Sequence, residues 1–160
     1  MTPHTCELVV RPLSPEDVGL PTPGLRTTAT RTVDSRDHYA LAVGLRQDGE
    51  TRGIALARWL RDPEDPTAAW AQIGVASSAQ GRGLGMLLFR SLGHVASLRG
   101  VERLLIEVRP GDVSLRTFLA HRGVLMAVRG RRLVGRWATA DLARVRPSCS
   151  WGELAERLQD

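Results

Sequence analysis

Gln80-Gly81-Arg82-Gly83-Leu84-Gly85 is the stretch on which the reading of this chain turns. It stands between a strand-like run, residues 69–75, and a helix-like run, residues 83–98, and it holds three glycines in five positions. Glycine lets the backbone approach a ligand closely, and the unpaired N–H groups of a helix start point at whatever lies before them. Such a turn suits a pyrophosphate, and it equally suits a plain strand-to-helix connection. The spacing excludes two familiar phosphate sites. There is no Lys-Ser or Lys-Thr ending as in a nucleotide P-loop, and no acidic residue closes a strand about 20 residues later as a dinucleotide fingerprint requires. The strand expected over 101–109 carries Glu107 in its interior instead.

Downstream of the loop, Leu84, Leu87, Leu88, Leu92, Val95 and Ala96 recur at three- and four-residue steps, the mark of a helix with one buried face, and Gly100 is placed as its stop. In 101–109, Leu104, Ile106 and Val108 share one strand face while Leu105 and Glu107 share the other. Residues 114–122 read as a short helix closed by Gly123. Residues 125–128 and 133–138 read as a hairpin across Gly130-Arg131-Arg132, and 151–158 as a terminal helix packed by Trp151, Leu154 and Leu158. Upstream, 7–13 is a first strand, and Ser14 and Pro15 look like the cap and first position of a helix that Gly19, Pro21, Pro23 and Gly24 break. The polar stretch 26–36 is loop or short helix. Residues 38–45 and 52–60 form a hairpin through Asp48-Gly49, and after a turn holding Pro63 and Pro66 the run 69–75 is the third strand of an antiparallel set. Antiparallel strands followed by a strand-helix-strand unit predict an α/β sandwich, a mixed, mostly antiparallel sheet flanked by helices.

The hexapeptide resembles the Q/R-x-x-G-x-G/A signature of the GCN5-related N-acetyltransferases, which move an acetyl group from acetyl-CoA to an amine. Residues 38–85, with the turn Arg61-Asp62-Pro63-Glu64-Asp65-Pro66, are similar to bacterial protein-lysine acetyltransferase domains more than to the superfamily at large. The resemblance implies one such domain over 1–160 and a V-shaped opening between the strands ending near Val75 and Arg109. It also implies that Ile73 and Val75 offer backbone contacts to the pantetheine arm. Gln80, Gly81, Arg82, Gly83, Leu84 and Gly85 would cradle the pyrophosphate, and Asp112 and Leu115 would meet the cofactor at the last helix. Asp112 stands where Asn is usual, and Val124 where Phe is usual.

The catalytic residues depart from the pattern. The glutamate that serves related enzymes as general base, ten positions before the signature glutamine, is Trp70 here, and the tyrosine that protonates the leaving thiolate falls at Leu119. An indole cannot take a proton at neutral pH. Glu107, on the neighbouring strand, is the substitute that could reach the cleft through a water; as a structural carboxylate it would do nothing there. Two classes of function follow: an acetyl-CoA-dependent N-acetyltransferase acting on a small amine, an N-terminus or a protein lysine, or a catalytically degenerate acyl-CoA-binding domain acting as sensor or partner subunit.

Composition agrees with either. At 160 residues the chain is long enough for one domain burying about two-thirds of its unfolded surface. No apolar run reaches the length of a membrane span and no secretory leader is recognisable, so neither membrane nor export is expected and the compartment expected is cytoplasmic. Cys6 and Cys149 lie near opposite ends without metal-like spacing and read as two free thiols. All 22 basic residues are arginine, for a net charge of +5. Aromatics are only 4% and no nucleic-acid motif appears, so nucleic acid is not an expected partner, whereas a positive field suits anionic CoA. Arg82 is expected to strengthen cofactor binding through charge. The partners expected are acetyl-CoA and an amine acceptor, with a homodimer left open.

Overall fold

The computed structural model describes residues 7–12, 34–147 and 149–159. Cys6, the helix start read at Ser14-Pro15 and the polar stretch up to residue 33 lie outside these residues. Asp48 and Gly49 both take positive φ, 53° and 81°, the backbone of a two-residue turn whose twist matches the strands it joins. It connects β3 (His38–Gln47) to β4 (Glu50–Arg61), with β1 (Glu7–Pro12) and the two-residue β2 (Asp34–Ser35) paired antiparallel to β3. β5 (Ala68–Val75) pairs antiparallel with the other edge of β4. The turn between them is held by Asp65, whose carboxylate accepts from the Thr67 hydroxyl at 2.6 Å and amide at 3.0 Å and pairs with Arg103. The Thr67 bonds first, then Arg103, hold that carboxyl below its ordinary range.

The apolar stripe after the glycine loop forms α1 (Leu84–Leu98), which returns the chain to β6 (Arg103–Val108), parallel to β5. After α2 (Val113–His121), the hairpin β7 (Leu125–Arg129) and β8 (Arg132–Ala138) completes a sheet of order β1-β3-β4-β5-β6-β8-β7. Among the described residues β5 and β6 are the one parallel pair, so the sheet is mixed and mostly antiparallel, as the sequence predicts.

One face of the sheet carries the main core. Leu41, Val43, Trp59, Leu104, Ile106 and Trp137 pack with Leu84, Leu88 and Leu92 of α1, and the Phe89 ring lies 5.8 Å from that of Phe118 and 5.2 Å from that of Trp137. A smaller cluster of Ala68, Leu105 and Val134, with Trp70 against it, occupies the opposite face. Leu105 is therefore as buried as its neighbours Leu104 and Ile106, while on the same strand face Arg103 is half-buried and Glu107 exposed.

Two short helices follow β8, and the first of them holds the back of α1. α3 (Thr139–Arg144), which the sequence reading leaves out, is short and lacks a periodic stripe. It is fixed by tertiary contacts: the Thr139 hydroxyl donates to the Val101 and Glu102 carbonyls, and Leu142 fills the space at Gly93, where a Cβ would stand 2.9 Å from its Cδ1. α4 (Trp151–Gln159) buries Leu154, with Trp151 and Leu158 packed beside it.

Candidate active site

β5 and β6 pair only from Ala68↔Arg103 to Trp70↔Leu105. Beyond those three pairs both strands continue without a ladder between them, so backbone groups that each would have offered the other face an opening instead. The opening is a cavity of about 310 Å³ whose lining includes Ile73, Val75, Gln80, Phe89, Glu107, Asp112 and Leu115. Pro110 and Gly111, with φ of 88°, turn the chain away at its rim.

At the end of β5 a turn of 3-10 helix, Ser77–Ala79, leads into the glycine loop. The Gln80 side-chain amide donates to the Val75 carbonyl at 3.1 Å and so ties the loop to the strand. Gly81 and Gly83 have φ of 75° and 94°, conformations in which any side chain would be strained. Gly83 is the N-cap of α1 and supplies no side-chain cap, which leaves the first-turn amides uncapped by the loop. A Cβ at Gly81 or Gly85 would meet nothing within 4 Å, so the helix start is flanked by open space. Leu84 sits differently from its neighbours: its side chain is 1% exposed and belongs to the core, leaving only its backbone to the loop.

Arg82 points elsewhere. Its guanidinium donates to the Arg157 carbonyl near the C-terminus of α4, the Arg157 guanidinium donates back to the Arg82 carbonyl at 3.2 Å, and the Cys149 thiol lies 3.7 Å from that same carbonyl. A cation at the carbonyl end of a helix is favourably placed. Arg82→Gln is therefore expected to lower the melting temperature by a few degrees, for a loss of about 1 kcal/mol, while CoA affinity changes less than about threefold. Thermal melts and titration calorimetry of the two proteins check both halves.

Glu107 lies on the wall of the cleft, with its side chain 44% exposed and 3.6 Å from Arg132. Asp112 caps α2, its carboxylate accepting from the Leu115 amide at 3.1 Å, as its place before the helix suggests. Trp70 stands on the same face as Glu107, two residues back along the ladder, where its indole N–H donates to Asp62 at 3.1 Å and its ring packs on Leu105 and Val134. Leu119 is fully buried on the opposite face, in room left by Gly135, where a Cβ would come within 3.2 Å of it. His38 is buried on β3 and His121 exposed on α2; neither lines the cleft. No cluster of metal-ligating side chains occurs among the described residues. Phe89 also lines the cleft; it lies off the stripe that marks α1, and its ring packs against those of Phe118 and Trp137.

The sheet splays at its parallel pair directly before a helix whose N-cap is a glycine, and the cleft so opened lies beside the uncapped amides of that helix. The profile of the acetyltransferase (GNAT) family matches residues 10–124, more than half of the sequence, and the chain belongs to that family. Members of this family take their acetyl group from acetyl-CoA. Solved structures share the fold at low identity. The GNAT domain of S. lividans PAT superposes with a TM-score of 0.65 at 20% identity, over 81% of this chain and 89% of that one. The cAMP-binding acyltransferase from Mycobacterium smegmatis gives 0.63 at 23%, over 98% of this chain and 53% of its own, so this chain spans about half its length. The ribosomal-protein-S18-alanine N-acetyltransferase from Escherichia coli gives 0.61 at 16%, over 90% and 99%. No helix among the described residues is long and apolar enough to cross a membrane.

Proposed function

We propose that the chain is a cytoplasmic, acetyl-CoA-dependent N-acetyltransferase acting on an amine: a protein lysine, an N-terminus or a small molecule. The observation that carries this reading is the break in the β5–β6 ladder immediately before an uncapped, glycine-lined helix start. The residues fit the cofactor, because side chains at Gly81 or Gly85 would fill space that is now open. Backbone amides from Gly81 to Gly85 would hold the pyrophosphate, with the helix dipole favouring negative charge there. The unpaired edge of β5 at Ile73 and Val75 would hold the pantetheine, with Asp112 and Leu115 on the far wall. Acetyl-CoA, when bound, supplies an activated thioester.

The chain's own chemistry is then modest. β5 amides serve as donors to the carbonyl oxygen on which negative charge develops. Glu107, oriented by Arg132, accepts through a water the proton that leaves the acceptor nitrogen as the new C–N bond forms. As the C–S bond breaks, water would supply the proton that the sulfur takes up, since Leu119 has none to give. Much of the rate would come from holding amine and thioester together.

Trp70 favours a second reading, a domain that keeps the cradle and has lost its base. Trp70→Glu separates the two in a CoA-release assay with lysine peptides and small amines. If Glu107 is the base, the original protein is active and the substitution does not accelerate it. It should also cost about 2 kcal/mol of stability by removing a half-buried ring and its bond to Asp62. A silent original whose variant gains about 10²–10⁴-fold would instead establish the degenerate domain.

A further inference from the structure

Between Arg109 and Arg136 the sequence has seven arginines and one acid, Asp112, while the fifteen arginines and sixteen acids elsewhere nearly cancel. The protein's positive charge is thus gathered on α2, β7, β8 and the end of β6, and all seven of those arginine side chains are exposed. The ladder sorts them by face. In β8, Arg132, Val134 and Arg136 share a face; Glu107 lies opposite Val134, Leu105 opposite Arg136, and Arg129 of β7 opposite Arg132. Glu107, Arg129, Arg132 and Arg136 therefore stand together on the face turned away from α1, at one lip of the cleft. Arg132 pairs with Glu107, and Arg129 and Arg136 meet no acid among the described residues.

The spacing indicates what such a face would bind. Arg132 and Arg136 are four residues apart on one strand, roughly 13 Å, too far for one carboxylate of a small amino acid to serve both. An extended peptide with acidic side chains at alternate positions repeats every ~7 Å and could match them. A nucleic acid would want freely exposed rings for its bases; Phe118 and Trp137 are packed with Phe89 in the core on the other face, and the one ring beside the arginines, Trp70, is half-buried on Leu105 and Val134 with its N–H donating to Asp62. The geometry points to an acidic peptide as the acceptor, its carboxylates on Arg129, Arg132 and Arg136 and its reactive amine at Glu107; the role of the amine rests on the acetyltransferase reading.

The test uses a fluorescein-labelled nonapeptide with a central lysine among glutamates, the same peptide with glutamine for each glutamate, and the double variant Arg129→Glu, Arg136→Glu. Binding is read by anisotropy at low salt, and CoA release is followed in parallel. The acidic peptide should bind about tenfold more tightly than its glutamine counterpart, and the variant should erase that preference. An acidic peptide that binds and responds to the variant, with no CoA released from any peptide, would uphold the surface while the transfer reading fails. Equal affinity for the two peptides, or an unchanged affinity in the variant, overturns the proposal. Displacement of the acidic peptide by a single-stranded RNA nonamer that binds more tightly overturns it in favour of nucleic acid.

Discussion

Gly85→Asp should remove measurable acetyl-CoA binding, an affinity loss of about 100-fold or more, in a protein that melts no lower than the original. Gly85 is the second residue of α1 and lacks positive φ, and a Cβ there meets no other atom within 4 Å, so a side chain can be added without strain. Replacing a helical glycine is worth roughly 0.5–1 kcal/mol, and an acid in the first turn adds a few tenths more by facing the positive end of the helix dipole. The same carboxylate would occupy the space proposed for the pyrophosphate and repel it. Gly83→Asp should lose binding too, but with φ at 94° it would be strained by roughly 1–3 kcal/mol and could not separate binding from folding. Calorimetric titration beside a thermal melt reads both quantities. A folded Gly85→Asp protein that still takes up acetyl-CoA with ordinary heat would remove the loop from the donor site.

Glu107→Gln should lower kcat by about 10²–10³-fold with acetyl-CoA affinity within about twofold, because glutamine keeps the shape of the side chain and cannot accept a proton. The fold should survive. The pair with Arg132 is exposed and 3.6 Å long, and such a pair is worth at most about 1 kcal/mol. An acceptor amine of low pKa, already unprotonated in the assay, should lose much less than lysine does. That contrast distinguishes loss of a base from a displaced cleft wall, which would slow both acceptors alike. An unchanged kcat would place Glu107 outside the chemistry and return attention to Trp70.

Much of the architecture is local and therefore legible. The three- and four-residue recurrence from Leu84 to Ala96 fixes α1, since only a helix puts those side chains on one face. Asp48-Gly49 fixes the hairpin because few residue pairs tolerate positive φ at both positions. The glycines from 81 to 85 mark a backbone that must approach something, and Asp112 reads as a cap because its side chain can reach an amide three residues on. Periods, turns and caps depend on neighbours a few residues away, so the sequence by itself determines them.

What the tertiary structure decided depends on partners far apart in the chain. Where the β5–β6 ladder stops cannot be read from either strand, because pairing is a property of both. α3 has no periodic signature and exists through the Thr139 hydroxyl and the close approach of Leu142 to Gly93. Arg82 looks from the sequence like a cofactor contact, and the structure turns its guanidinium to a carbonyl 75 residues away. Phe89 and Glu107 reach the cleft only after α1 and β6 are laid against the sheet. The scattered arginines likewise become a surface when the registers of β6, β7 and β8 place Arg129, Arg132 and Arg136 on one face. Side-chain chemistry is written in the sequence, but the direction in which a side chain points across a sheet is set by which strand it meets.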